Sequence, residues 1–204
     1  MKGNVKKCGE KNGYGMKLVN KLALIAAKIT EVLHWLGAVT MLALLICSVA
    51  AQDWLIGIFS ASEGDFELTS HGFNISALTP GGDINFTAVT MFSISAIIIM
   101  CLFAMIFRNT YLILKTADGK TWFSKGDTPF QKDVVRMLRE IGIFLIAVPA
   151  VGLIMSTVAR GVIGVDNAEI SVDLSYVIIG LLVLCLSRFF DYGTALQEDV
   201  DGLL

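Results

Sequence analysis

Four apolar runs dominate this sequence, and each is long enough to cross a membrane as a helix. A bilayer core of about 30 Å takes roughly 20 apolar residues at a helical rise of about 1.5 Å. The runs lie at about residues 33–55, 88–107, 141–158 and 172–190. Because 55% of the residues are hydrophobic and only 17% are charged, the composition differs from that of soluble proteins. The sequence therefore predicts an all-α membrane protein with four transmembrane helices.

Charged residues are segregated along the chain, and this segregation orients the predicted spans. Lys and Arg in short segments beside a span stay in the cytoplasm. The outer loop 52–87 contains acidic residues and no Lys or Arg. The segment before the first span and the segment between the second and third spans contain Lys2, Lys6, Lys7, Lys11, Lys17, Lys21, Lys28, Arg108, Lys115, Lys120, Lys125, Lys132, Arg136 and Arg139. We therefore expect a multi-pass protein of the bacterial cytoplasmic (inner) membrane with both termini in the cytoplasm.

The first run could instead be a cleaved signal peptide, because Ser48 and Ala50 are small residues with the spacing of a cleavage site. Its length, the long segment before it and the three later runs argue against this alternative.

Residues 1–17 are basic and contain glycine, which predicts a flexible N-terminal tail before a four-span membrane domain at 18–204. Three of the four cysteines lie within predicted spans and one in the cytoplasmic tail, so no disulfide framework is predicted. They form no CxxC pair, so a cysteine metal site is not predicted either.

The long outer loop predicts a small extracytoplasmic β-hairpin. The stretch "FNISALTPGGDINFTAV" has two β-prone runs on either side of turn residues 80–83. A third β-prone piece at residues 168–174 could join the hairpin as another strand. Asn74 and Asn85 head glycosylation sequons, which we interpret as chance matches.

The stretch "GDTPFQKDVVRMLREIG" predicts a cytoplasmic collar helix at residues 128–140 that continues without a break into the third span. Thr128 and Gln131 have the spacing of a capping box, and Pro129 suits the first helical position. These signals place the helix start at Thr128 or Pro129. One face of the predicted collar helix carries the basic residues Lys132, Arg136 and Arg139.

The segment after the fourth span predicts a second cytoplasmic element. Arg188 follows the span closely, and its long side chain can reach the headgroups as a membrane anchor. Beyond it, "FFDYGTALQEDVDGLL" has apolar residues at helical spacing and an acidic end. Because the basic collar and the acidic tail share one side of the membrane, the predicted partner-binding residues are Lys132, Arg136, Arg139, Glu198 and Asp199.

Sequence patterns for catalysis and metal binding are weak in this chain. Glu31 and His34 have the Glu-x-x-His spacing found in half of a di-iron site, but a complete site needs a second such pair and two further glutamates. An interfacial Glu–His pair is the favoured interpretation. No ionisable residue lies near the centre of a span, which disfavours ion-coupled transport. We predict no enzymatic activity, no metal, no cofactor and no direct binding of nucleic acid.

Two segments in the second half of the chain resemble a family of small four-span bacterial membrane proteins of unassigned function. Members have a Pro-Phe start, a Val-Arg-x-Leu-Arg-x-Ile-Gly helix and a Phe-x-x-Gly-x-x-Leu-Gln-Glu ending. The matching residues are Pro129, Phe130, Val135, Arg136, Leu138, Arg139, Ile141, Gly142, Phe190, Gly193, Leu196, Gln197 and Glu198. The family is often encoded beside a Cro-type helix-turn-helix regulator, so the resemblance implies a regulatory role. The last residues, "VDGLL", depart from the usual Asp-Leu-Thr ending.

The sequence thus favours a non-enzymatic integral membrane regulatory or interaction protein. Its expected partners are the lipid bilayer, a cytosolic helix-turn-helix regulator and further copies of the same chain. The alternative is a small oligomeric transporter, channel or exporter subunit. A polar cavity through the helices would indicate transport, whereas an exposed cytoplasmic groove would indicate partner binding.

Overall fold

The computed structural model describes residues 3–59, 67–71, 73–79, 82–124, 128–164, 168–170 and 173–202. Side chains are described for these residues except at 3–17, 58–59, 73, 168–170 and 201. The helices are α1 (Gly3–Ala50), α2 (Gln52–Phe59), α3 (Phe86–Ala117), α4 (Lys132–Ile163) and α5 (Leu174–Asp201). The strands are β1 (Glu67–Ser70), β2 (Phe73–Ser76) and β3 (Ala168–Ile170).

Four of the helices are long and apolar enough to cross a membrane, as the sequence predicts. They are α1 from Leu18 onwards, α3, α4 and α5 up to Val200. α3 and α4 have 32 residues each. At about 1.5 Å per residue they extend past a bilayer core of about 30 Å. α1 is helical from Gly3, so the backbone shows no boundary at residue 17; the predicted flexibility of residues 1–17 stays a prediction.

The four long helices pack in chain order. α1 packs against α3, α3 against α4, and α4 against α5. α3 and α4 are the central members, since 39% of the most apolar window of each is buried, against 11% for α1 and α5. The helices therefore form a row, with a further contact between α3 and α5, where the ring centroids of Phe103 and Tyr176 lie 5.9 Å apart. The outer faces of α1 and α5 present apolar side chains to the surroundings.

Hydrogen bonds between helices show which helix ends lie together. The Asn20 side chain of α1 donates to Asp118 after α3 at 2.8 Å, and Asn109 of α3 donates to Glu140 of α4 at 2.9 Å. The first part of α1, the end of α3, the start of α4 and the end of α5 share one end, which we call the basic end for its lysines at positions 21, 28, 115, 120 and 132. By the charge rule this end is expected to face the cytoplasm.

The opposite end has a three-stranded antiparallel sheet in the order β1-β2-β3. Residues 168–170 join it as β3, which confirms that the second outer loop contributes a strand. The sheet packs through Ile75, which is buried against Phe92 of α3 and Ala159 of α4. A third strand is needed because an isolated hairpin is only marginally stable.

The predicted pairing around residues 80–83 is short, and the hairpin of the sheet lies earlier in the chain. β2 pairs with the upstream β1, whereas across the predicted turn the bridge Leu78↔Ile84 is accompanied by backbone hydrogen bonds from the Thr79 N–H to the Asp83 oxygen and from the Asn85 N–H to the Ala77 oxygen, both 2.8 Å. This pairing ends at Asn85 because α3 begins at Phe86 and the Asn85 side chain caps it, accepting a hydrogen bond from the Ala88 N–H at 3.1 Å. Two of the predicted turn residues, 80 and 81, lie outside the described residues.

The start of α4 also differs from the prediction. The helix begins at Lys132, so the predicted capping box is wrong and the collar helix is shortened to residues 132–140. The Thr128 hydroxyl accepts a hydrogen bond from the Phe130 N–H at 3.2 Å and donates one to Gln197 of α5. The Thr128 oxygen thus closes a local turn with the N–H two residues on instead of capping a helix. From Lys132 the helix continues to Ile163 through the buried Pro149, which confirms the predicted continuity into the third apolar run.

Candidate functional site at the start of α4 and the end of α5

The start of α4 contacts the end of α5 through an aromatic ring that lies on a glycine. A Cβ atom at Gly193 would lie 2.4 Å from Cδ1 and 2.5 Å from Cε1 of Phe130. The Phe130 ring also contacts the Phe190 ring, with centroids 5.5 Å apart. Only glycine leaves the ring this space, because carbon atoms in contact normally lie about 3.5–4.0 Å apart. We call residues 128–132 together with residues 190–198 the clasp.

Two polar contacts extend the clasp beyond its aromatic part. Thr128 Oγ1 donates to Gln197 Oε1 at 3.0 Å. Lys132 Nζ lies 2.8 Å from Glu198 Oε1, so the acidic end of α5, which is helical to Asp201, lies beside the start of the collar helix. Both side chains are more than half exposed, at 71% and 55%, so water and salt screen the ion pair. Such a contact suits release better than permanent locking.

The contact with Glu198 also shifts the pKa of Lys132. Lys132 precedes the apolar run that begins at Ile141, so it lies outside the span. The hydrogen bond to Glu198, and then the negative charge of that carboxylate, raise the pKa of the Lys132 ammonium above its ordinary value. The pair therefore keeps its positive partner at neutral pH.

The other predicted site residues do not contact the tail. Arg136 lies 3.7 Å from both Asp133 and Glu140 on its own helix. Arg139 and Asp199 are exposed, and neither forms an ion pair with another described residue. Arg188 is exposed too, at the position expected of an anchor, and its anchoring role stays a prediction. The structure thus brings together one basic and one acidic residue of the predicted set and leaves the rest as surrounding charges.

Deeper in the α4–α5 interface, two glycines allow the helices to approach closely. A Cβ at Gly180 would lie 2.9 Å from the Gly142 carbonyl oxygen and 2.7 Å from Cγ1 of Ile146. A Cβ at Gly142 would lie 2.7 Å from Cγ of Leu184. Small residues at a membrane helix interface permit this kind of approach. This crossing sets the register that places Phe130 on Gly193.

The glycine crossing was not anticipated from the sequence. Gly180 interrupts the apolar run "VIIGLLVL", and a lone glycine within a helical pattern is the signal that could have indicated it. Gly142 and Gly193 belong to the segments on which the family resemblance rests. Both now have a packing role between α4 and α5.

A small open cleft lies within the clasp. It has a volume of about 100 Å³ and is lined mainly by Thr128, Gln131, Lys132, Thr194 and Gln197. Pockets for small-molecule ligands usually have volumes of about 300–1,000 Å³. The cleft therefore suits a single polar side chain better than a substrate or a cofactor.

An apolar stripe follows on the exposed side of α5. Its four side chains are large and more than half exposed: Phe189 at 72%, Tyr192 at 77%, Leu196 at 64% and Val200 at 58%. We call these four residues the tail stripe. They follow Arg188 at helical spacing: Phe189 lies at the end of the predicted span 172–190, and the other three lie beyond it. An apolar patch exposed beyond the bilayer is typical of a protein-binding surface.

Glu31 and His34 contact a lysine, aromatic rings and a backbone carbonyl. Glu31 is buried and lies 3.0 Å from Lys28 Nζ, while the His34 ring lies 5.4 Å from the rings of Phe103 and Phe107. Among the described residues, no cluster of three or more His, Cys, Asp and Glu could hold a metal ion. The ion pair with Lys28 accounts for the position of Glu31, and ring packing accounts for the position of His34.

The fold and the site define a class: a mostly helical protein with four candidate membrane-spanning helices and an α4–α5 clasp at its basic end. Comparison with family models, with curated proteins and with solved structures gives no match for this chain. The family resemblance of the two segments in the second half therefore stays a prediction.

Proposed function

We propose that this chain is a non-enzymatic regulatory protein of the bacterial cytoplasmic membrane that binds a cytosolic partner through its tail stripe. The exposure of the stripe is the observation that carries the proposal. Its side chains project from a helix that continues past Arg188, and Tyr192, Leu196 and Val200 lie beyond the predicted span, where no lipid covers them in the proposed topology. Full burial of each large apolar side chain would contribute about 1.5–3 kcal/mol, so a partner helix laid along the stripe gains free energy from contacts that the free protein lacks.

The clasp adds charge to this surface. Lys132 and Glu198 form a screened pair, and Arg136, Arg139 and Asp199 lie exposed near it. Charges at the rim of an apolar contact guide partner choice and association rate more than they add affinity. The partner of this surface has an apolar helical face bordered by both acidic and basic residues. The family resemblance makes a Cro-type helix-turn-helix regulator the first candidate.

Binding of that regulator tests the proposal. The purified chain in lipid nanodiscs is titrated with a purified Cro-type helix-turn-helix regulator of the kind that the family resemblance implies. Leu196→Asp is expected to weaken binding at least tenfold, because it removes an anchor worth about 1.5 kcal/mol or more. Ala195→Asp is the matched control: it adds the same charge at the neighbouring exposed position, outside the stripe. An equal effect of the two variants, or no binding by the unaltered chain, would overturn the proposal.

The row arrangement of the helices supports a second function, that of a small oligomeric transporter, channel or exporter subunit. A row encloses a conduit only when further copies complete it, and α1 and α5 have long apolar faces open to such copies. Solute flux through liposomes that contain the chain, measured together with its oligomeric state, decides between the two functions. Flux that requires an oligomer would favour the transporter.

A further inference from the structure

A groove between α1 and α3 lies at the basic end, apart from the clasp. It has a volume of about 400 Å³, within the usual range for ligand sites. Its lining residues are Lys21, Leu24, Ile25, Lys28, Tyr111, Lys115 and Lys120. We call it the lysine pocket. It combines four ammonium groups with an apolar floor, a combination that the clasp does not have.

The charges of the lysine pocket are only partly compensated. Lys28 lies 3.0 Å from Glu31, and Lys120 lies 2.8 Å from Asp118. Lys21 and Lys115 have no carboxylate partner among the described residues, so four lysines face two carboxylates and the pocket has a net charge of +2. It therefore attracts an anion.

Tyr111 holds two of these lysines at the mouth of the pocket. The Lys28 and Lys115 ammonium groups lie 5.4 Å and 5.7 Å from the centroid of its ring. A cation over an aromatic face is attracted to the ring when it lies within about 6 Å of the centroid. The two ammonium groups are thus positioned before a ligand arrives.

The depth of the pocket points to the kind of anion. Tyr111 lies one helical turn past Phe107, where the second predicted span ends, and Lys28 precedes the first span. This is the headgroup level, where Tyr and Lys side chains are typical. Leu24 and Ile25 offer an apolar floor, and Ile25 is 47% exposed. A free phosphate has no apolar part to pack on such a floor, whereas the glycerol backbone and first methylene groups of a phospholipid can contact it.

We propose that the lysine pocket binds an anionic phospholipid, with the phosphate held by the uncompensated Lys21 and Lys115 and the acyl chains directed past Lys28 into the bilayer. Basic pockets between helices on the cytoplasmic side are a recognised mode of lipid headgroup binding. The proposal is independent of the tail stripe and its partner.

Native mass spectrometry of the full chain in mild detergent tests this site. Phosphatidylglycerol and phosphatidylcholine are titrated separately against the unaltered protein and against Lys21→Gln with Lys115→Gln. The double variant is expected to bind phosphatidylglycerol about 30-fold more weakly, with phosphatidylcholine binding unchanged as a check on folding. Arg136→Gln with Arg139→Gln removes the same charge outside the pocket and is expected to leave phosphatidylglycerol binding unchanged.

Three results would overturn the proposal. The first is equal binding of the two lipids by the unaltered chain. The second is an equal loss of phosphatidylglycerol binding in both double variants, which would indicate a general charge effect. The third is displacement of phosphatidylglycerol by millimolar glycerol 3-phosphate, which would show that the pocket takes a free phosphate ester.

Discussion

Gly180→Ala is expected to push α5 away from α4 and to lower the thermal stability of the purified protein. The added methyl group would lie 2.9 Å from the Gly142 carbonyl oxygen and 3.3 Å from the Ile146 backbone nitrogen. Both atoms belong to the α4 backbone, so no side-chain rotation relieves the overlap. Overpacking of this kind costs about 1–3 kcal/mol, more than the gain of up to about 1 kcal/mol from the better helix propensity of alanine.

Gly161→Ala is the matched control for Gly180→Ala. Gly161 lies in the last turn of α4, and nothing lies within 4 Å of the place that its Cβ would occupy. This substitution is expected to leave stability unchanged or to raise it slightly, because only the propensity gain applies. Thermal unfolding in mild detergent, followed by tryptophan fluorescence, measures both variants. A Gly180→Ala protein as stable as the Gly161→Ala protein would contradict the close crossing of α4 and α5.

Gly193→Ala is expected to open the clasp without disturbing the spans. The new Cβ would overlap the Phe130 ring, and because Phe130 is 41% exposed, its ring can swing into solvent. The Phe130–Phe190 contact is then lost, and an aromatic pair of this kind is worth about 0.5–1.5 kcal/mol. Amide hydrogen exchange in residues 190–202 should become roughly two- to tenfold faster, while residues 141–158 keep their protection.

A double variant separates this clash from a general effect of the substitution. In a Phe130→Ala background the ring is absent, so Gly193→Ala has nothing to displace. We expect its effect on exchange to be much smaller there than in the unaltered chain, because two residues in contact show a coupling that independent residues lack. Equal effects in the two backgrounds would mean that Gly193 acts through something other than the Phe130 ring.

The long helices were predictable because hydropathy over about 20 residues identifies a span without any tertiary information. The helix ends were not predictable, because hydropathy locates the segment that lies in lipid and not the residue at which the helix ends. α3 continues past Phe107 through Arg108 and Lys115 to Ala117, two turns or more beyond the apolar run. In the outer loop, competition between a strand and the Asn85 helix cap decided the pairing. At the start of α4, the Thr128 hydroxyl accepts from the Phe130 N–H in a turn instead of capping a helix, which the Thr-x-x-Gln spacing does not reveal.

The candidate site was predictable only in its charges. Opposite charges on segments that share one side of the membrane led to the pairing of Lys132 with Glu198, which the structure has. The same reasoning also included Arg136 in that pairing, although the ion-pair partners of Arg136 are Asp133 and Glu140 on its own helix. The contacts of Phe130 with Gly193 and of Gly142 with Gly180 depend on the rotation and register of two packed helices. The sequence alone does not specify this rotation and register, because they are set only when the two helices pack against each other.

The central claim is that the basic end, with the clasp and the tail stripe, faces the cytoplasm. Sequence alone suggests Ser62 and Lys125 as probe positions on the two sides, and both lie outside the described residues. Asp83 at the sheet end and Lys120 at the basic end are described and exposed, so they are better positions for single cysteines.

Labelling of intact cells with a membrane-impermeant maleimide tests the claim most directly. Each probe cysteine is placed in a background in which Cys8, Cys47, Cys101 and Cys185 are replaced by alanine. We expect Asp83→Cys to react in intact cells and Lys120→Cys to react only after the membrane is permeabilised. Labelling of Lys120→Cys in intact cells, with Asp83→Cys protected, would contradict the proposed topology and with it the cytosolic partner.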